Sequence, residues 1–155
     1  MIRTVLAVFL ALTLLSLSVA ALDHGATVRT ERGLEADLAT LEAEATALLE
    51  DEERPPTGEP GPQRVVTITL PAESPTAAGV DYVTVGDSLD ASTDTDDRPI
   101  VAYRLEGGPE RVVHVDAPIE PAGSEPIVLR GSGDRGLRLT LEYEEGERVV
   151  VVEPW

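Results

Sequence analysis

The sequence predicts an α+β protein: an N-terminal transmembrane/amphipathic helix followed by a small antiparallel β-sandwich-like domain. Three observations predict it. The chain opens on a long uncharged apolar run, continues with leucines at alternating four- and three-residue spacings, and then changes to short stretches of alternating hydrophobicity separated by turn residues. A length of 155 residues holds one domain of ordinary size plus an anchor or tail. The expected divisions are 1–22 for a membrane anchor (or signal peptide), 23–53 for an amphipathic helix, 54–63 for a Pro/Gly linker and 64–155 for an extracellular β-domain.

The first element is the run TVLAVFLALTLLSLSVAAL, Thr4 to Leu22, which carries no charge. As a helix it rises about 28 Å, close to the roughly 30 Å hydrocarbon core of a bilayer. A signal peptide cut after Ala20 is the rival reading, since Ser18-Val19-Ala20 places small residues where signal peptidase inspects the chain. The run exceeds the usual apolar core of about 7 to 15 residues in a signal peptide, which favours a retained helix. Both readings export the remainder. Arg3 precedes the run and Asp23 follows it, so the positive-inside tendency leaves the N-terminus in the cytoplasm, and the lack of a twin Arg indicates Sec-type export. The expected location is the cell membrane, single-pass, with the C-terminal domain extracellular; secretion is the alternative.

From about Ala26 to Glu53 the pattern is helical, and Leu34, Leu38, Leu41, Ala45 and Leu48 form one apolar stripe. The flanking positions hold Glu35, Asp37, Glu42 and Glu44, all acidic. A parallel homodimeric coiled coil would oppose these like charges, so the stripe is expected to pack on the chain's own β-domain or on a different subunit. These five residues are the candidate interaction site. No Pro separates this helix from the anchor, and Gly25 and Gly33 are weak points rather than certain breaks.

The segment RPPTGEPGP, Arg54 to Pro62, cannot continue a helix and reads as a stiff linker. Seven strands are expected beyond it: 64–70, 80–85, 100–105, 111–115, 127–130, 137–143 and 148–152. That number of short strands in the space predicts a β-sandwich or a partly closed barrel. Leu137, Leu139, Leu141 and Tyr143 alternate with Arg138, Thr140 and Glu142, which gives that strand one wet face. Val149 to Val152 is apolar on both faces and fits a central or covered strand. Glu106-Gly107-Gly108-Pro109 and Glu144-Glu145-Gly146-Glu147 are expected to close antiparallel hairpins.

Composition narrows the functional classes. The formal charge is −17, from 29 acidic residues against 12 basic ones, and every basic residue is Arg. Such a surface repels nucleic acid. Lys, Asn and Cys are absent, which removes disulfides, thiolate metal sites, a Cys nucleophile, a lipid-modified Cys and Asn-linked glycosylation. Acidic, Lys-free and poor in aromatics, the chain resembles proteins of haloarchaea, whose multimolar salt shortens the screening length to roughly 3 Å at 1 M.

The search for chemistry returns no catalytic, cofactor or metal site. Asp87, Asp90, Asp94, Asp96 and Asp97 crowd one Ser/Thr-rich stretch, yet the EF-hand pattern fails: a loop from Asp90 has Thr95 and Val101 where Gly and Glu are required, and one from Asp94 has Pro99 and Leu105. A solvated loop is the reading that remains. His24 and His114 each lack a second ligand at helical or strand spacing. Ser132, in Arg130-Gly131-Ser132-Gly133-Asp134, does not meet the Gly-X-Ser-X-Gly nucleophile pattern and reads as a tight turn. No enzyme and no cofactor is expected.

The opening MIRTVLAVFLALTLL, the middle RVVTITLPAESPTAAGVDYVTVG and the end LRLTLEY together resemble a haloarchaeal family of unknown function associated with archaeal type IV pilus-like (pilin-like) secretion and assembly loci. A hydrophobic helix starting almost at residue 1, a long amphipathic continuation and a compact β-head are also similar to type IV pilin-like proteins and pseudopilins. The resemblance departs from that pattern in having no charged leader with a prepilin cleavage site and no Glu near the start of the apolar run. It therefore implies an accessory component rather than a polymerising major pilin. The expected function is a non-enzymatic, membrane-anchored cell-surface structural or interaction protein of a halophilic archaeon, with other envelope or pilus-like subunits as partners. The alternative is a secreted or tethered β-sandwich binding module for a small ligand or glycan, which would need an aromatic platform from Tyr82, Tyr103, Tyr143 or Trp155.

Overall fold

The computed structural model describes residues 2–51, 61–89, 99–123, 125–144 and 147–155, and among these it describes no side chain for 17–21, 51 and 144. A single helix, α1, runs from Ile2 to Asp51 without interruption. It passes through Ser18-Val19-Ala20 and through both glycines. A Cβ placed on Gly25 or Gly33 would meet nothing within 4 Å, so both lie on the open side of the helix. Each costs about 1 kcal/mol against Ala. Burial on the opposite side offsets that cost, because Ala26, Thr30, Leu34, Leu38, Leu41, Ala45 and Leu48 are all buried at spacings of four or three residues. Residue 22 is thus no boundary in the secondary structure, and the expected anchor and amphipathic helix are one element.

Among the described residues no helix is long and apolar enough to cross a membrane. The fold is α+β with a long N-terminal helix.

Eight strands follow: β1 (Gln63–Leu70), β2 (Val80–Val85), β3 (Ile100–Leu105), β4 (Glu110–His114), β5 (Ile119–Pro121), β6 (Ile127–Arg130), β7 (Gly133–Glu144) and β8 (Glu147–Pro154). They form two four-stranded sheets, ordered β1-β7-β8-β5 and β4-β3-β2-β6. All pairings are antiparallel except β5 with β8, which is parallel and departs from the expected all-antiparallel sandwich. β5 is the strand that sequence reading omits. It is three residues long and closed by Pro121, too short for a period of two to show. β7 begins four residues earlier than expected because Gly133 and Gly136 interrupt the apolar alternation while the backbone stays paired with β1, Leu70 opposite Gly133. The β3–β4 turn joins antiparallel neighbours, as its Gly-containing segment predicts, and β7 and β8 also pair antiparallel, with Glu145 and Gly146 of the second expected turn outside the described residues. Of the linker only Gly61 and Pro62 fall within the described residues, and Asp90, Asp94, Asp96 and Asp97 lie outside them.

The inner faces of the two sheets share one core. Val66, Ile68, Leu137, Leu139, Val150 and Val152 come from the first sheet, and Val83, Val85, Val101, Tyr103 and Leu129 from the second. The leucine stripe of α1 joins the same cluster. α1 covers the side of the sandwich where β1 and β4 are the edge strands: Asp37 Oδ2 accepts a hydrogen bond from the Thr69 backbone N–H at 2.8 Å, and Glu42 Oε1 accepts one from the Asp116 N–H, just past β4, at 3.0 Å. An edge strand presents unpaired backbone donors, and a covering helix is one way proteins satisfy them.

Candidate functional site

Leu34, Leu38, Leu41, Ala45 and Leu48 are all placed in the interior, Leu41 with no exposed surface at all. Of the two occupants open to the stripe, the structure places the chain's own β-domain against it. The acidic residues beside it are also engaged. Besides Asp37 and Glu42, Glu44 forms an ion pair with Arg64 on β1 at 2.5 Å. Higher on the helix, Glu31 pairs with Arg111 on β4 at 2.7 Å, Arg29 donates to the Thr76 carbonyl at 2.9 Å, and the Thr30 hydroxyl donates to the Ala78 carbonyl at 3.0 Å. At the C-terminal end the Arg148 guanidinium donates to the Leu49 carbonyl. The helix is fastened over more than five turns by burial and polar contacts together.

What the fold leaves open is the other part of α1. Ile2, Val5, Leu6, Val8, Phe9, Leu10, Leu12, Leu14 and Leu15 are exposed all round the helix, Ile2 at 78% and Phe9 at 65%. Aqueous proteins rarely expose a contiguous apolar surface of this extent unless a partner or a membrane meets it. Polar groups inside the arm bond to its own backbone: the Thr13 hydroxyl donates to the Phe9 carbonyl and the Ser16 hydroxyl to that of Leu12, each at 2.9 Å. Such internal bonding leaves little polar surface on the arm.

Where the arm meets the β-domain there are two adjoining cavities. One, of about 220 Å³, is lined by Thr27, Glu31, Tyr103, Glu106, Gly108 and Arg111. The other, of about 180 Å³, is lined by Asp23, Ala26, Glu73, Ser74, Ala77 and Gly79, with Thr27 and Glu106 common to both. Tyr103 at the floor is 2% exposed. Burial pushes its hydroxyl pKa above the ordinary value, against a lowering by Arg111 and with smaller raising contributions from Glu31 and Glu35.

A polar cluster lies on the outer face of the second sheet. Tyr82 is buried between the guanidinium groups of Arg104 and Arg130, 5.3 and 5.2 Å from its ring centre. Its hydroxyl donates to Glu110 Oε2 at 3.1 Å, and the Ser88 hydroxyl donates to Glu110 Oε1 at 2.6 Å. Burial, then the Glu110 contact, raises the Tyr82 pKa. This cluster ties the start of the β2–β3 connection to the sheet.

The residues weighed for chemistry are scattered. His24 and His114 are both exposed, one on α1 and one at the end of β4. Ser132 sits between Gly131 and Gly133, whose φ values of 76° and 106° make the tight β6–β7 turn. Among the described residues no group of three or more His, Asp or Glu is placed to hold a metal ion. Of the aromatic residues considered for a platform, Tyr82 and Tyr103 are buried and Tyr143 is half-buried. Trp155 is 70% exposed, lies across Gly136 on the outer face of the first sheet, and has the Arg138 guanidinium 4.2 Å from its ring centre.

Sequence reading missed the capping role of Asp37 and Glu42, for which the signal was present as acids flanking a stripe bound for an open sheet edge. It also missed Glu110, whose partners on β2 and in the following connection are brought to it only by the tertiary fold. No curated protein and no solved structure matches the chain. Residues 1–155 match the family described as domain of unknown function (DUF7311), and the chain belongs to that family.

Proposed function

We propose that the protein is a non-enzymatic, membrane-anchored structural or interaction protein of the cell surface of a halophilic archaeon, an accessory pilin-like component of a type IV pilus-like system. The observation that carries this reading is the apolar arm of α1, exposed on every side and continuous with a helix fastened to a β-head. The uncharged sequence from Thr4 to Leu22 has the length of a bilayer core, with Arg3 on its cytoplasmic side and the acidic head outside. The absence of Lys and the charge of −17 support a high-salt habitat. An envelope role is favoured over a ligand-binding module because Trp155 alone, without a neighbouring exposed Tyr, gives little platform for a sugar or small ligand.

The test is fractionation of haloarchaeal cells expressing the full chain, with protease added to intact cells. The protein is expected in the membrane fraction, with its head digested from outside. Recovery in the soluble fraction, or a head digested only after lysis, overturns the reading.

A further inference from the structure

We propose that the β-head does not stand off from the membrane but rests on it, with the β1–β2 connection, Pro71 to Gly79, seated in the outer headgroup layer. This rests on the anchored reading above and names the partner surface of the head as the lipid headgroups. The argument is one of levels along one uninterrupted helix. Leu22 ends the uncharged run and is exposed, whereas Ala26, four residues and about 6 Å further on, is already buried against the head. The hydrocarbon core takes roughly 30 Å of a 40–45 Å bilayer, which leaves roughly 5–7 Å of headgroup layer on each side. No room remains for a stalk.

The loop itself reaches the boundary. Asp23, the first residue past the run, shares a cavity with Glu73, Ser74 and Ala77, so these residues stand level with the end of the apolar arm. Arg29 and Thr30 hold the loop there through the Thr76 and Ala78 carbonyls. The β3–β4 turn, Glu106 to Pro109, flanks the next turn of helix beside Thr27 and Glu31. From Glu73 to Thr76 the side chains are exposed, and Ser74, Pro75 and Thr76 carry no charge. The opposite end of the head is remote: Arg148 grips Leu49, 27 helical residues beyond Leu22 and about 40 Å away.

The chain has no Cys, so single-Cys variants can be labelled cleanly. Full-length Thr76→Cys and Glu147→Cys proteins, both at exposed positions, are labelled with a short fluorophore. They are then reconstituted in phosphatidylcholine vesicles containing headgroup-nitroxide lipid, in molar KCl. Quenching is expected to be several-fold stronger at position 76 than at 147. Equal, weak quenching at both positions in protein that floats with the vesicles overturns the seated head while leaving the anchor intact. Failure of the full chain to float overturns the anchored reading, and this inference with it.

Discussion

At the scale of single residues, Leu41 shows how much one side chain can decide. It occupies the middle of the stripe, has no exposed surface and belongs to the cluster formed by both sheets. Truncating a well-packed Leu removes transfer energy and leaves a cavity, together worth about 2 to 5 kcal/mol. Leu41→Ala in the full chain is expected to lower the free energy of unfolding by that amount, read by circular dichroism in urea at constant salt and detergent. A loss below about 0.5 kcal/mol would mean that the helix is not an integral part of the head. Glu110 makes a different point at the same scale. Each of its carboxylate oxygens accepts one hydroxyl, from Tyr82 and from Ser88, so a residue that reads as one more surface acid joins two strands and a connection.

At the scale of elements, the long helix substitutes for additional strands. The β1 edge and the segment just past β4 turn donors toward it, and Asp37 and Glu42 accept them through side chains instead of a backbone ladder. Replacing both by Ala leaves the Thr69 and Asp116 amides to water. Their hydrogen exchange is then expected to quicken by roughly an order of magnitude, while amides in the β7–β8 ladder keep their rates. Unchanged exchange at Thr69 would show that α1 covers the edge without capping it. Much of this was legible in advance. The stripe, the switch of period after residue 62 and seven of the strands follow from residue spacing, because burial on one face leaves a mark at 3.6 or 2 residues. β5 left none, since three residues ending in a proline cannot display a period, and its parallel pairing depends on where the chain returns. The arm was legible by composition, whereas its continuity through Gly25 and Gly33 depended on packing that spacing alone does not weigh. The five stripe residues read in the sequence as an apolar face in need of cover, and all five are buried in the structure. Their occupant could not be read, because a stripe of leucines is the same whether it meets its own sheet or another protein.

At the scale of the whole molecule, the charge of −17 acts on every element at once. Several acids on α1 are bonded to the head, yet the net excess remains and repels itself more strongly as salt is diluted. The melting temperature of the full chain is expected to rise steadily from 0.1 M to 3 M KCl; a flat profile would show that its acids do not destabilise the fold in dilute salt. The unbroken α1 has a further consequence, for how the chain tolerates changes in length. Because arm and head share one helical screw, each residue inserted between Leu22 and Ala26 turns the head by about 100° relative to the arm and lifts it by about 1.5 Å. That short stretch sets an azimuth. An insertion of seven residues nearly restores the original bearing, whereas two or five send the head to the opposite side of the arm. Any neighbour that touches both the arm and the head therefore reads their relative phase, and the four residues from Asp23 to Ala26 set it.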